Sequence, residues 1–367
     1  MPLAAELRFF DRTKVLHEGR AYVFFGGTDY HRLASHPEVL RACQEAAWTE
    51  GLSCAGSRLT TGNHPLLVRL ETKTAEFLGA GSVAACSGGY LANTMAVEAV
   101  RDDYWRFFLD AGAHASLASA AEMLPQDRVH PFRSCDPGDL ATALRLNLRP
   151  RERPLLLTDG VLGGSGQLPP LLAYWEAVRE RSGALLVDDS HGLGVVGPGG
   201  QGSPAQAGLP REAFIQTGTF AKAFGAFGGL VAGPAALAGK VAARSRSFVA
   251  ATPIPPPLAA AALRSIELLR EHPEWITGLQ ARMRAVRDRL SALGLPMADS
   301  MAPMVSVNHH DETKNRRLYG ILVDAGIYPS FINYPGCPPG GHFRFAISSA
   351  HTDAEVELLI QSLALSC

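Results

Sequence analysis

The sequence predicts an α/β protein: a mainly parallel central sheet covered by helices on both faces, with a smaller α/β domain toward the C-terminal end. Three observations carry that prediction. Short apolar runs alternate with stretches of helical periodicity between residues 65 and 232. Some of these runs, such as Ala184-Leu-Leu-Val187, are apolar at every position, as strands buried on both faces are. A proline-rich break at Thr252-Pro-Ile-Pro-Pro-Pro257 then separates the alternation from long helical segments.

Taken in order, His36 to Trp48 and Pro65 to Leu78 read as helices, the second with Leu66, Leu67, Leu70, Thr74 and Phe77 at helical spacing. Ser82-Val-Ala-Ala-Cys86 reads as a strand that turns through Ser87-Gly-Gly-Tyr90 into an apolar helical run ending near Val100. Strand-like Pro154 to Thr158, helical Leu171 to Arg181, strand-like Ala184 to Val187 and strand-like Gly229 to Ala232 continue the pattern. Thr217 to Gly229 reads as a small-residue loop. Beyond the proline break come helices over Leu258 to Leu269 and Trp275 to Leu293, then strands around Met304 to Asn308 and His342 to Ser348. At 367 residues the chain is long for one core. The expected division is a large domain, residues 46–250, and a small domain, residues 251–367, completed by residues 1–45.

Hydrophobic residues make up 47% of the chain, charged residues 19%, and the formal net charge is -1, a composition that points to an ordinary globular protein and away from nucleic acid. Basic groups such as Arg149-Pro-Arg-Glu-Arg153 read as solvated faces. No apolar stretch reaches the ~18 residues of a membrane helix. The six cysteines show no Cys-x-x-Cys spacing, so neither a disulfide framework nor a metal site is expected. With no basic segment ahead of an apolar core at the N-terminus, the expected location is the cytoplasm.

The chemistry centres on Lys222, in Thr217-Gly-Thr-Phe-Ala-Lys-Ala-Phe-Gly-Ala-Phe-Gly-Gly229. A lone amine on such a loop suits a Schiff base with an aldehyde cofactor, of which pyridoxal 5'-phosphate (PLP) is the example. Its pKa must then fall from about 10.4 through desolvation and neighbouring charge. A pyridine ring draws electrons only while its nitrogen stays protonated, which calls for a carboxylate aimed at it. Asp188, at the carboxyl end of the Ala184 to Val187 run, is the candidate, with His191 as a donor to the ring hydroxyl oxygen. Gly88 and Gly89 fall at a helix N-terminus suited to a phosphate, and Tyr90 in the same turn is assigned to the cofactor with them. Thr219 adds a hydroxyl. His114 is a flat group to stack on the ring.

Taken alone, each residue has an ordinary structural reading: a surface lysine, a helix cap, a turn, a satisfied core histidine. Their order along the chain is that of PLP enzymes with the aspartate-aminotransferase fold, fold type I. From about residue 22 onward the chain resembles the α-oxoamine synthases, which include 8-amino-7-oxononanoate synthase, 2-amino-3-ketobutyrate coenzyme A ligase, 5-aminolevulinate synthase and serine palmitoyltransferase. The resemblance rests on Gly56-Ser-Arg-Leu-Thr-Thr-Gly-Asn-His-Pro65, on Asp188-Asp-Ser-His-Gly-Leu-Gly-Val-Val-Gly197, on the lysine loop, and on Tyr334-Pro335 with Phe343-Arg-Phe-Ala-Ile-Ser-Ser-Ala-His-Thr352.

That resemblance implies PLP as cofactor and condensation of a small α-amino acid with an acyl thioester, followed by decarboxylation to an α-amino ketone, most like 8-amino-7-oxononanoate synthase. It assigns the amino acid's carboxylate to Arg344, whose guanidinium fork suits that role. It also implies a homodimer with shared active sites, Thr252 reaching the phosphate of the partner subunit. Two departures stand out. The family's Asn-Asp-Tyr-Leu-Gly-Leu is Thr28-Asp-Tyr-His-Arg-Leu33 here, so Thr28 replaces a carboxylate-binding Asn. Its Ser-Met-Asp-Gly-Asp is Gly163-Gly-Ser-Gly-Gln167, which deletes a serine hydroxyl expected near the cofactor.

Alternatives are an α-oxoamine synthase of specialised or sphingoid-type metabolism, another fold type I enzyme such as an aminotransferase, and a noncatalytic partner subunit. A nucleotide site at Gly192-Leu-Gly-Val-Val-Gly197 would require that motif to open a helix, which Pro198-Gly-Gly200 opposes.

Overall fold

The computed structural model describes residues 5–333 and 340–366. Its centre is a seven-stranded sheet in the order Ser82–Cys86, Gly229–Gly233, Phe214–Thr219, Ala184–Asp188, Pro154–Asp159, Arg106–Asp110, Val129–Phe132. Gly229–Gly233 runs antiparallel to both neighbours, and every other pairing is parallel. The four strands from Pro154, Ala184, Phe214 and Gly229 are buried at every position. Helices on both faces explain this, since a strand covered twice has no wet side.

The parallel register sets Asp159 opposite Asp188 and Asp188 opposite Thr217, so three polar residues form a row at the carboxyl edge. Open α/β sheets bind ligands at that edge. Helix Gly89–Val100 crosses one face and buries Ala92, Asn93, Met95, Ala96 and Val97. Against the other face lie Pro65–Leu78 and Pro256–Glu271, through Leu67, Leu70, Phe77, Ile266 and Leu269.

Two small antiparallel sheets adjoin this body. One has the order Met304–Val307, His342–Ala346, Phe331–Ile332; the other runs Arg8–Phe9, Lys14–His17, Arg20–Val23. Backbone bonds tie the second sheet to the segment that leads into Phe331–Ile332: Val23 N–H donates to Gly326 O (2.8 Å) and Tyr328 N–H to Val23 O (2.9 Å). A shared core of Phe25, Tyr30, Val161, Val305, Phe343 and Phe345 fills the space between.

The sequence reading of Thr217 to Gly229 as one loop is corrected. Thr217–Thr219 end a strand, Gly229 begins the next, and the lysine lies on the 220–228 connection between them. Thr217–Thr219 pair with Gly229–Val231, and Thr217 also with Asp188, which a small-residue composition had hidden. Within the connection Gly225 has φ +57°, and a Cβ there would strike the backbone nitrogen of Ala34. Gly225→Ala should therefore cost at least about 2 kcal/mol, from a positive φ plus backbone overlap. Thermal melting checks this; an unchanged Tm would show that the contact yields freely.

Candidate active site

A cavity of about 280 Å³ opens at the carboxyl edge of the sheet and is lined by Asp159, Asp188, His191, Thr219 and Lys222, among others. Asp188 enters it from the end of its strand, as the sequence led one to expect. Its Oδ2 accepts from Asn93 Nδ2 (2.6 Å), and its Oδ1 from Ser190 N–H (3.1 Å). Asn93 is fixed in turn, because its Oδ1 accepts from Thr217 Oγ1 at 2.5 Å. The carboxylate is thus aimed by a buried chain of hydrogen bonds that starts on the adjacent strand.

Lys222 projects from the 220–228 connection. Burial lowers its pKa to about 8; Asp188 and then Asp159 oppose that shift, while the Arg344 charge adds to it. The shift brings the amine closer to the neutral form that captures an aldehyde. His114 caps helix Ala115–Glu122, its Nδ1 accepting from Ser116 N–H (3.2 Å) and lying 2.8 Å from Ser116 Oγ. Its ring borders the cavity.

Helix Gly89–Val100 begins at Gly88 without a side-chain cap, which leaves its first N–H groups available beside the cavity wall formed by Gly89 and Tyr90. An anion fits there. Tyr90 is largely exposed and donates to Ser119 Oγ (2.9 Å). Thr219 lines the cavity, but its Oγ1 donates to Gly228 O (2.8 Å) and accepts from Ala221 N–H (3.0 Å). In this arrangement its hydroxyl proton is already engaged. With an amine near neutrality, a strand-end carboxylate and an uncapped helix start around one space, the residues present fit PLP.

Thr28 lines this cavity and also a neighbouring groove of about 680 Å³, bordered by Phe9, Phe10, Phe24, Arg12 and Arg32. Arg32 takes a left-handed backbone (φ +53°) and donates through Nη2 to Phe24 O (2.8 Å). Arg344 stands behind the cavity, its Nη1 donating to Gly163 O (3.1 Å). Its charge helps to lower the pKa values of both Lys222 and His191. Thr252 is exposed and does not border its own chain's cavity. Tyr334 and Pro335 lie outside the described residues.

Sequence reasoning missed three groups. Asp159 is buried, and its carboxylate accepts from His114 N–H (3.1 Å to each oxygen). Desolvation first, and then the Asp188 charge, push its pKa well above the carboxylate range. It follows the Pro154 to Thr158 run just as Asp188 follows Ala184 to Val187, and that parallel was the available signal. Asn93 gave none; Tyr30 keeps the tyrosine of the family's Asn-Asp-Tyr stretch, but neither residue's partner is visible until the fold brings Asn93 to Asp188 and Tyr30 to His191. The Gly192 to Gly197 motif opens no α-helix: it turns into the short 3-10 segment Pro198–Gly200, so no nucleotide-type helix start exists there.

A family model described as aminotransferase class I and II matches residues 23–363. The 8-amino-7-oxononanoate synthase of Methylocella silvestris is 34% identical over 350 residues, 95% of this chain and 98% of that protein. That of Methylobacterium radiotolerans is 36% identical over 348 residues, 94% of this chain and 88% of its own length. Among solved structures, a Sphingomonas wittichii serine palmitoyltransferase superposes with TM-score 0.88 at 24% identity, covering 97% of this chain and 89% of that one. An 8-amino-7-oxononanoate synthase from Francisella tularensis gives 0.79 at 21%, covering 94% and 97%. These two structural likenesses speak to the fold. The chain belongs to the aminotransferase class I and II family, fold type I of the PLP-dependent enzymes, and to its α-oxoamine synthase branch.

Proposed function

We propose that the protein condenses a small α-amino acid with an acyl thioester and releases carbon dioxide to leave an α-amino ketone, the reaction of an 8-amino-7-oxononanoate synthase. The observation that carries this reading is Lys222, an amine with a pKa of about 8, in one cavity with a carboxylate fixed by Asn93. PLP, when bound, supplies an aldehyde that takes up an amine and a pyridinium that accepts the electron pair left on the α-carbon.

The chain's own residues do the rest. Lys222 Nζ would hold the cofactor's aldehyde and, as a free amine, would move the α-proton. Asp188 keeps the ring nitrogen protonated. The uncapped start of helix Gly89–Val100, with Gly88, Gly89 and Tyr90, holds the phosphate. Thr219 shapes the wall beside it. His114, on the cavity wall, would cover the ring and keep water away from the reacting carbon. His191 donates to the ring oxygen. Arg344 binds the amino acid's carboxylate as a fork, with Thr28 at the mouth. The groove beyond Thr28 gives the acyl arm a path lined by Phe9, Phe10 and Phe24.

The same reading takes the enzyme as a cytoplasmic homodimer, with Thr252 of one protomer reaching its partner's phosphate. It divides the chain into a large cofactor-binding domain, residues 46–250, and a small domain, residues 251–367, completed by residues 1–45. Among the described residues no helix is long and apolar enough to cross a membrane.

The test is to supply amino acids with acyl thioesters and follow thiol and carbon dioxide release. Transfer of amino groups to a keto acid without thiol release would replace this reading by an aminotransferase. The pH dependence follows from Lys222. Only the neutral amine attacks, so the rate of cofactor capture should rise about tenfold per pH unit below pH 8 and level off above it. Stopped-flow absorbance of cofactor-free protein mixed with PLP checks this. A flat rate between about pH 6 and pH 9 would show that the amine is not held where burial sets it.

A further inference from the structure

Tyr30 does not line the cavity, and nothing in the reading above uses it. Its side chain is 1% exposed, packed in the core shared with Phe25 and Phe343, and its hydroxyl lies 2.7 Å from His191 Nδ1. Among the described residues that is its only hydrogen-bond contact. Two proton arrangements fit the distance. If Nδ1 carried the hydrogen, Tyr30 oxygen would accept it, and the phenolic proton would be left without a protein acceptor at a buried position. If Tyr30 donates instead, both groups are satisfied and the imidazole proton must sit on Nε2.

Nε2 is the nitrogen on the Gly163 side: a Cβ on Gly163 would come within 2.9 Å of it, so the missing side chain leaves that nitrogen free. The titratable and charged groups that face His191 are Lys222, Arg344 and His114; burial first, and then the Lys222 and Arg344 charges, keep the imidazole neutral. Neutrality matters because a doubly protonated ring would have no tautomer to choose. Burial also holds the Tyr30 phenol in its protonated, donating form.

We propose that Tyr30 is a positioning residue that fixes the tautomer of His191, holding its proton on Nε2, from which it would be donated to the cofactor oxygen. The proposal rests on the PLP reading only for the identity of the acceptor; the tautomer belongs to the protein itself. The pair also locks the ring's orientation, since the phenol reaches it from a different part of the chain, 161 residues away.

The experiment uses the full chain labelled with 15N-histidine, before and after loading with PLP, and compares wild type with Tyr30→Phe. In cofactor-free wild type, long-range 1H–15N correlation should give His191 the pattern of an Nε2–H ring. In Tyr30→Phe the Nδ1–H form should become substantially populated, and PLP should bind about tenfold more weakly, the cost of one misdirected hydrogen bond. An Nδ1–H ring in wild type overturns the proposal, and needs no variant to fold. So does a folded Tyr30→Phe with an unchanged His191 pattern and unchanged PLP affinity. If PLP fails to bind wild type at Lys222 while the Nε2–H pattern holds, the cofactor reading falls and the tautomer assignment stands.

Discussion

Replacing Lys222 with alanine should lower turnover by more than about 10⁴-fold, beyond the usual share of one acid–base group, because covalent anchoring is lost with proton transfer. Wild type treated with PLP and then borohydride should carry a stable mass increase at Lys222, and the variant none. Stability separates this outcome from unfolding. Burial of the Lys222 amine is unfavourable, as its pKa of about 8 records, so its removal should leave Tm unchanged or higher. Full activity in Lys222→Ala would remove the residue from both roles.

Asp188→Asn should reduce turnover by about 10²- to 10⁴-fold, because the amide keeps the shape of the carboxylate but loses the charge that holds the ring nitrogen protonated. A second effect accompanies it. Asp188 is the largest charge raising the Lys222 pKa, so the pH midpoint for PLP capture should move below its wild-type value of about 8. Asp159 should titrate lower as well, since the Asp188 charge is one cause of its elevation. The capture midpoint, read by absorbance, distinguishes an electrostatic role from a packing role. Near-normal turnover with an unmoved midpoint would reassign Asp188 to structure.

What could be read from the sequence was whatever a short window encodes. The helix Pro65–Leu78 was found to the residue, because Pro65 starts it, Gly79 ends it in a left-handed turn, and its apolar face repeats at helical spacing. Ala184–Asp188 was found because uniform apolarity marks a doubly covered strand. Arg106–Asp110 and Phe214–Thr219 were not. The first mixes charge with aromatic residues, and the second carries Gln216, Thr217 and Thr219, whose polar atoms find partners only across the fold.

The same limit governed the site. Lys222, Asp188, His114 and His191 announce themselves through neighbouring residues. Asn93, Asp159 and Tyr30 matter because of what lies 95, 45 and 161 residues away. A single sequence carries no record of such distances.

The contact of Gly225 with Ala34 is backbone against backbone, three residues from the reactive amine and six from Thr28. No side chain of Gly225 lies between the two segments to take up a shift. A side chain added there would press at once on the segment that carries Lys222 and on the one that carries Thr28.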